Sequence, residues 1–138
     1  DALMERQGGL TKAEKEMIVV ATSAANDCAY CVVAHGAILR IYAKNPRLAD
    51  QIAVHYPGAE ITGRQRLMLD VAVKLAVRPQ EFEQEDLDRL RAAGFDDEDV
   101  WDIGAITGLF ALSNRMAHLT DMTPNDEFYL LGRVPRER

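Results

Sequence analysis

The stretch TKAEKEMIVVATSAANDCAYCVVAHGAILRIY, residues 11–42, reads as two helices joined by a tight turn. Thr11-Lys12-Ala13-Glu14 has the Thr-x-x-Glu form of a capping box, in which a hydroxyl and a carboxylate satisfy the free N–H groups of a helix start. Ala13, Met17, Val20, Ala21 and Ala24 then recur at helical spacing until Asn26-Asp27 interrupts them. A second pattern begins near Cys28 and carries Val32, His35, Ile38, Leu39 and Tyr42. Lys44-Asn45-Pro46 ends it, because the residue before a proline avoids the helical region.

Outward from this hairpin the chain continues as helices. Pro46 suits the first turn of a short third helix through Ile52, and Tyr56-Pro57-Gly58 is a turn. Thr62-Gly63-Arg64-Gln65 resembles another capping box and opens Leu67–Val77, which is apolar on nearly all sides. Only Asp70 and Lys74 break that run, so it is expected to be the central core helix. Glu85–Ala93 reads as a short surface helix ended by Gly94, a residue favoured at the left-handed C-terminal cap. Asp96-Asp97-Glu98-Asp99 places negative charge where a helix N-terminus favours it. That last helix runs through Trp101, Ile103, Ile106, Leu109, Phe110 and Met116, with Gly104 and Gly108 allowing a close neighbour. Residues 123–138 show no sustained period and read as an extended tail, whose Phe128-Tyr129-Leu130-Leu131 must pack on this subunit or a neighbour. No alternation is long enough for a sheet. The expectation is an all-α single domain, 1–138, of about six helices, with the CxxC pair at the start of the second.

Composition limits the partners. A chain of 138 residues suits one domain that buries its own core. Acids outnumber bases 22 to 16, for a net charge of −6, and no basic patch appears, which argues against nucleic acid. No apolar run approaches the ~20 residues of a membrane span, and no secretory leader is visible, so a cytoplasmic location without a membrane partner is expected.

The two cysteines sit together as Cys28-Ala29-Tyr30-Cys31. A pair this local closes no long loop, so its expected use is chemistry rather than stapling. Cys28, Cys31 and His35 fall at i, i+3 and i+7, on one face of a helix. Cys31 and His35 are four apart, so thiol and imidazole can meet. A helix start and a nearby imidazolium both favour thiolate, which predicts a thiol pKa below the free value of about 8.5. The same residues could form part of a zinc site, but a fourth ligand is missing and no second CxxC or His pair exists; no metal and no cofactor are expected. Two inert buried cysteines are the plainer alternative. Glu16 lies on the preceding helix, and a turn at Asn26-Asp27 would fold its carboxylate toward the Cys/His face. A solvated glutamate is its alternative reading, as is expected of Glu14. His55 reads as an exposed turn residue and His118 as a complement to the last helix's dipole, neither of them catalytic.

Glu16, eleven residues, then Cys28-x-x-Cys31-x-x-x-His35 resembles the signature of the alkylhydroperoxidase D (AhpD) family of the carboxymuconolactone decarboxylase superfamily. Residues 20–31 look particularly like its peroxidase-related branch. The resemblance implies an AhpD-like helical fold and a CxxC-dependent peroxidase acting on alkyl or hydrogen peroxide. In that reading Cys31 attacks the peroxide and Cys28 resolves the product into a disulfide. His35 and Glu16 relay the proton, with a water. A dithiol, such as a lipoylated protein, reduces the disulfide. Tyr30 stands where well-characterised members have histidine; a phenol with pKa near 10 cannot replace imidazole as a base, so Tyr30 is auxiliary or packing. The superfamily also implies a homo-oligomer, a hexamer ahead of a dimer. Two competing functions are a γ-lactone decarboxylase, whose family members generally lack CxxC, and a redox-responsive binding protein using the same dithiol.

Overall fold

The Thr11 hydroxyl accepts the Glu14 N–H at 3.0 Å, and the Glu14 carboxylate accepts the Thr11 N–H at 3.0 Å, closing the capping box that starts the helix Lys12–Ala25. In the computed structural model, which describes residues 2–134, this helix is the second of seven. They are α1 (Ala2–Glu5), α2 (Lys12–Ala25), α3 (Ala29–Ala43), α4 (Leu48–His55), α5 (Gly63–Val77), α6 (Gln84–Ala92) and α7 (Asp97–Leu119). Short 3₁₀ turns cover Tyr56–Gly58, Pro79–Glu81 and Asp126–Tyr129. No strand occurs among the described residues, and the fold is all-α.

The CxxC pair therefore opens the third helix, not the second. The additional helix, α1, has no local signal because tertiary bonds make it. Lys15, buried on α2, points its ammonium at the carbonyls of Leu3 (3.1 Å), Met4 (3.4 Å) and Arg6. Arg6 in turn pairs with Asp102 on α7 at 2.7 Å.

The central helix is α2 rather than α5. Every residue from Glu14 to Ser23 is buried, and α3, α4, α5 and α7 all pack on it. Burying Ile18, Val19 and Val20 contributes about 1.5–3 kcal/mol each. The charged residues of α2 conceal this role in the sequence, because Glu14, Lys15 and Glu16 find their polar partners inside the fold. Glu14, far from solvated, meets Arg64 at 3.1 Å. On α5 the buried set is Met68, Leu69, Val71 and Ala72, while Leu67, Val73, Leu75 and Ala76 are half-buried and Val77 is exposed.

The C-terminal stretch folds back on α3 of its own chain. Arg40, buried on α3, donates to the carbonyls of Leu131 (2.7 Å) and Phe128 (2.9 Å). Arg133 pairs with Asp50 at 2.7 Å. Gly132 adopts a left-handed φ of 75°, and a Cβ there would lie 2.8 Å from the Arg40 Cβ. Leu130 and Val134 stay exposed. Residues 135–138 of the expected tail lie outside the described residues.

Candidate active site

The turn between α2 and α3 sets the site. Asp27 takes the left-handed conformation, φ 53°, which Asp and Asn tolerate best among residues with a Cβ. The Cys28 N–H then donates to the Ser23 carbonyl at 3.0 Å, and Cys28 becomes the N-cap of α3. Its sulfur accepts the Cys31 N–H at 3.4 Å. The free N–H groups of the helix start are thus aimed at Cys28, not at Cys31. Both cysteines are reduced and buried, Cys28 at 2% and Cys31 at 4% exposure, packed with Ala117 of α7 and the half-buried Tyr30 ring.

This geometry reverses the sequence expectation for Cys31. Burial first, and then its hydrogen bond with Cys28, push its thiol up to about 11. Hydrogen bonds with Asn114 and Ser23 act in the opposite direction. Burial wins because Cys31 sits inside the first turn of α3, behind the sulfur that caps it. Cys31 is accordingly a neutral thiol at pH 7 while both cysteines are reduced.

The antiparallel return of α3 along α2 brings Glu16 to His35, with Oε2 and Nδ1 2.7 Å apart. Phe110 of α7 supports the imidazole edge-to-face at 4.8 Å between centroids. With Glu16 ionised, Nδ1 carries the proton and Nε2 is left as the basic nitrogen. A cavity of about 320 Å³ opens here, lined by Met4, Lys12, Glu16, His35, Tyr42 and Phe110 among others. A second cavity, about 180 Å³, lies on the Cys28 side, lined by Asp27, Cys28, Tyr30, His118, Asp121 and Met122 among others. Among the described residues no three His, Cys, Asp or Glu side chains form a metal-binding group.

Residues 1–55 match the model of the carboxymuconolactone decarboxylase family. A solved structure from Ralstonia eutropha JMP134, an uncharacterised peroxidase-related protein with an alkylhydroperoxidase AhpD core, is 63% identical, with a TM-score of 0.96 over 99% of this chain and 72% of that one. An uncharacterised peroxidase-related protein from Silicibacter sp. TM1040 is 42% identical, with a TM-score of 0.93 over 96% of this chain and 69% of that one.

The chain belongs to the AhpD-like carboxymuconolactone decarboxylase superfamily.

A protein of unknown function from Agrobacterium tumefaciens, linked by name to AhpD and antioxidant defence, shares the fold at 24% identity and a TM-score of 0.72, over 85% of this chain and 80% of that one. No curated protein matches the chain.

The AhpD-like chain thus joins Glu16 to His35 and Cys28 to Cys31, the four residues singled out in the sequence. The Cys31 N–H bonds the Cys28 sulfur, while the imidazole bonds Glu16. Tyr30 packs on the dithiol and lines the Cys28 cavity. His118, read from the sequence as a dipole complement, also lines that cavity and bonds the Asn26 carbonyl through Nε2 at 2.8 Å. His55 is exposed, as expected. Trp101 and Asp102 border neither cavity. Trp101 is exposed beside a separate cavity of about 530 Å³ between α6 and α7, and Asp102 holds Arg6. Among the described residues no helix is long and apolar enough to cross a membrane. Sequence reasoning missed Ser23 and Asn114 as neighbours of the dithiol. The available signal was a lone amide on a buried face of α7, four residues after Phe110 and three before Ala117.

Proposed function

We propose that this AhpD-like protein is a thiol peroxidase that reduces alkyl or hydrogen peroxide by cycling Cys28 and Cys31 between dithiol and disulfide. The observation that carries the reading is the Glu16–His35 pair, because a neutral Cys31 needs a base and His35 Nε2 supplies one on the same helix face. Through a bridging water, His35 takes the Cys31 proton as peroxide arrives. The Cys31 sulfur attacks one peroxide oxygen, the S–O bond forms, the O–O bond breaks, and the alcohol or water leaves with the returned proton. Cys31 is then a sulfenic acid. The Cys28 sulfur attacks it, the S–S bond forms, the S–O bond breaks and water departs.

A dithiol completes the cycle. One of its sulfurs attacks Cys28 from the smaller cavity, Cys31 leaves as thiolate, and the second sulfur of the dithiol displaces Cys28 to give an external disulfide. A dihydrolipoyl group on a carrier protein fits this role, being a slender dithiol that presents both sulfurs together. The larger cavity, bounded by Met4, Tyr42 and Phe110, suits an organic peroxide. The peroxidase works as a homo-oligomer, favoured as a hexamer. Exposed Trp101, Leu112, Met116 and Leu119 along α7 support that assembly, since such apolar surface favours a partner.

The test is steady-state peroxide consumption with dihydrolipoamide, using wild type, Cys28→Ser and Cys31→Ser. Many turnovers for wild type and none for either variant are expected. A single stoichiometric oxidation of wild type under every dithiol would instead indicate a redox-responsive binding protein.

A further inference from the structure

The smaller cavity, about 180 Å³, on the Cys28 side of the dithiol has a histidine of its own in its wall. His118 stands in the last turn of α7, next to Ala117, which packs with both cysteines. Its Nε2 lies 2.8 Å from the Asn26 carbonyl oxygen. A carbonyl oxygen only accepts, so in the neutral ring Nε2 carries the proton and Nδ1 is the basic nitrogen. Asn26 is two residues before Cys28, so this bond ties the imidazole to the turn that carries that cysteine. A complement to the helix dipole would need neither the bond nor a place in the cavity wall.

The other polar groups of the cavity cannot do what Nδ1 can. Asp27 brings a carboxylate from the α2–α3 turn, Asp121 another from the turn after α7, and Tyr30 a phenol from α3. A carboxylate is too weak a base to take a thiol proton near neutral pH, and a phenol there is already protonated. The two carboxylates favour positive charge on the imidazole once it has taken a proton. His35 lines the larger cavity instead, where Glu16 occupies its Nδ1.

We propose that His118 is the general base of the reductive half-reaction. The proposal rests on the dithiol cycle above and assigns its proton transfers. As a dithiol enters the smaller cavity, its first S–H gives its proton to His118 Nδ1. The freed sulfur bonds to Cys28, the Cys28–Cys31 bond breaks, and the electron pair stays on Cys31. The second thiol's proton reaches the Cys31 thiolate through solvent. The second sulfur then bonds to the first, the mixed disulfide breaks, and Cys28 leaves with the proton held on Nδ1. The reductant ends as a disulfide and both cysteines as thiols.

The test isolates this half-reaction. Wild type and His118→Gln are oxidised with diamide to the Cys28–Cys31 disulfide, so no peroxide is involved. Dihydrolipoamide is then added, and free thiols are counted by mass after acid quench and maleimide labelling. Glutamine can still donate to the Asn26 carbonyl but offers no basic nitrogen. His118 is exposed, so the exchange leaves the core intact, and circular dichroism checks this. A free thiol of pKa about 8.5 or more is at most roughly a tenth ionised at pH 7.5, so a base has tenfold or more to gain there. His118→Gln should therefore be reduced about ten- to a hundredfold more slowly than wild type at pH 7.5. At pH 10, where the dithiol ionises unaided, the two rates should converge to within about threefold. A variant rate within about twofold of wild type at pH 7.5 would overturn the proposal. An equal deficit at both pH values would also overturn it, marking His118 as a brace for the turn. Either result, with wild type reduced normally, removes His118 alone; a wild-type disulfide that dihydrolipoamide leaves intact would overturn the dithiol cycle and its base together.

Discussion

Glu16 Oε2 lies 2.7 Å from His35 Nδ1, a bond that joins the middle of α2 to the second turn of α3. The two residues are nineteen apart in sequence. They meet because Asn26 and Asp27 reverse the chain in a turn that a left-handed aspartate makes possible. The bond orients the imidazole and leaves its second nitrogen free to act on a proton.

The proposed relay requires both partners. Glu16→Gln and His35→Gln should each slow peroxide reduction by about 10²–10⁴-fold, the usual contribution of a positioned base. Circular dichroism should show the fold intact. A rate within about twofold of wild type for Glu16→Gln would mean that the carboxylate only braces α3.

The buried Cys31 thiol gives a pH signature. Its pKa is raised in the fold to about 11, above the ordinary thiol range. A group whose folded-state pKa is raised adds stability below its unfolded pKa and loses it as pH rises through the folded value. Under reducing conditions, urea unfolding should show wild type losing stability between about pH 9 and 11 relative to Cys31→Ser. Parallel curves for the two proteins across that window would contradict the assignment. Over pH 7–10 alkylation of Cys31 without peroxide should accelerate about tenfold per unit, as thiolate becomes available.

Arg40 is the clamp of the C-terminal segment, through its bonds to the Phe128 and Leu131 carbonyls. Arg40→Leu should release residues 126–134, making them the first site cut in limited proteolysis while the α2–α7 bundle survives. Gly132→Ala should have the same effect, because the new methyl meets the Arg40 Cβ and the positive φ is strained. Equal protease resistance in both variants would show the segment is held by other contacts.

Assembly is open to a direct mass measurement. Light scattering on size-exclusion peaks should give a multiple of the 15.4 kDa chain, six being favoured. Leu112→Glu with Met116→Glu should lower that mass by placing charge on the exposed face of α7. A wild-type mass near one chain at micromolar concentration would rule the oligomer out.

What the sequence could reveal followed the range of its signals. Both capping boxes were legible because they are closed within four residues, and the structure forms both at Thr11 and Thr62. The spacing of Cys28, Cys31 and His35 was legible because it lies within one helix. Four features were not. Helix α1 depends on a lysine nine or more residues away, so its own residues carry no mark of it. The central position of α2 was hidden by Glu14, Lys15 and Glu16, whose charges look solvent-facing until their partners are known. The state of Cys31 was not legible because helix-start stabilisation falls on whichever sulfur the N–H groups reach, and that is Cys28. Asn114 comes from eighty-three residues beyond Cys31, where only packing of α7 on the turn could reveal it.

The central claim is catalytic peroxide reduction by the Cys28–Cys31 pair. Its most direct test follows peroxide loss with time at substoichiometric protein and excess dihydrolipoamide, for wild type beside Cys31→Ser. The account predicts that wild type consumes many equivalents per chain and that Cys31→Ser consumes no more than the buffer control. Consumption that stops at one equivalent of wild type, or that continues undiminished in Cys31→Ser, would contradict it.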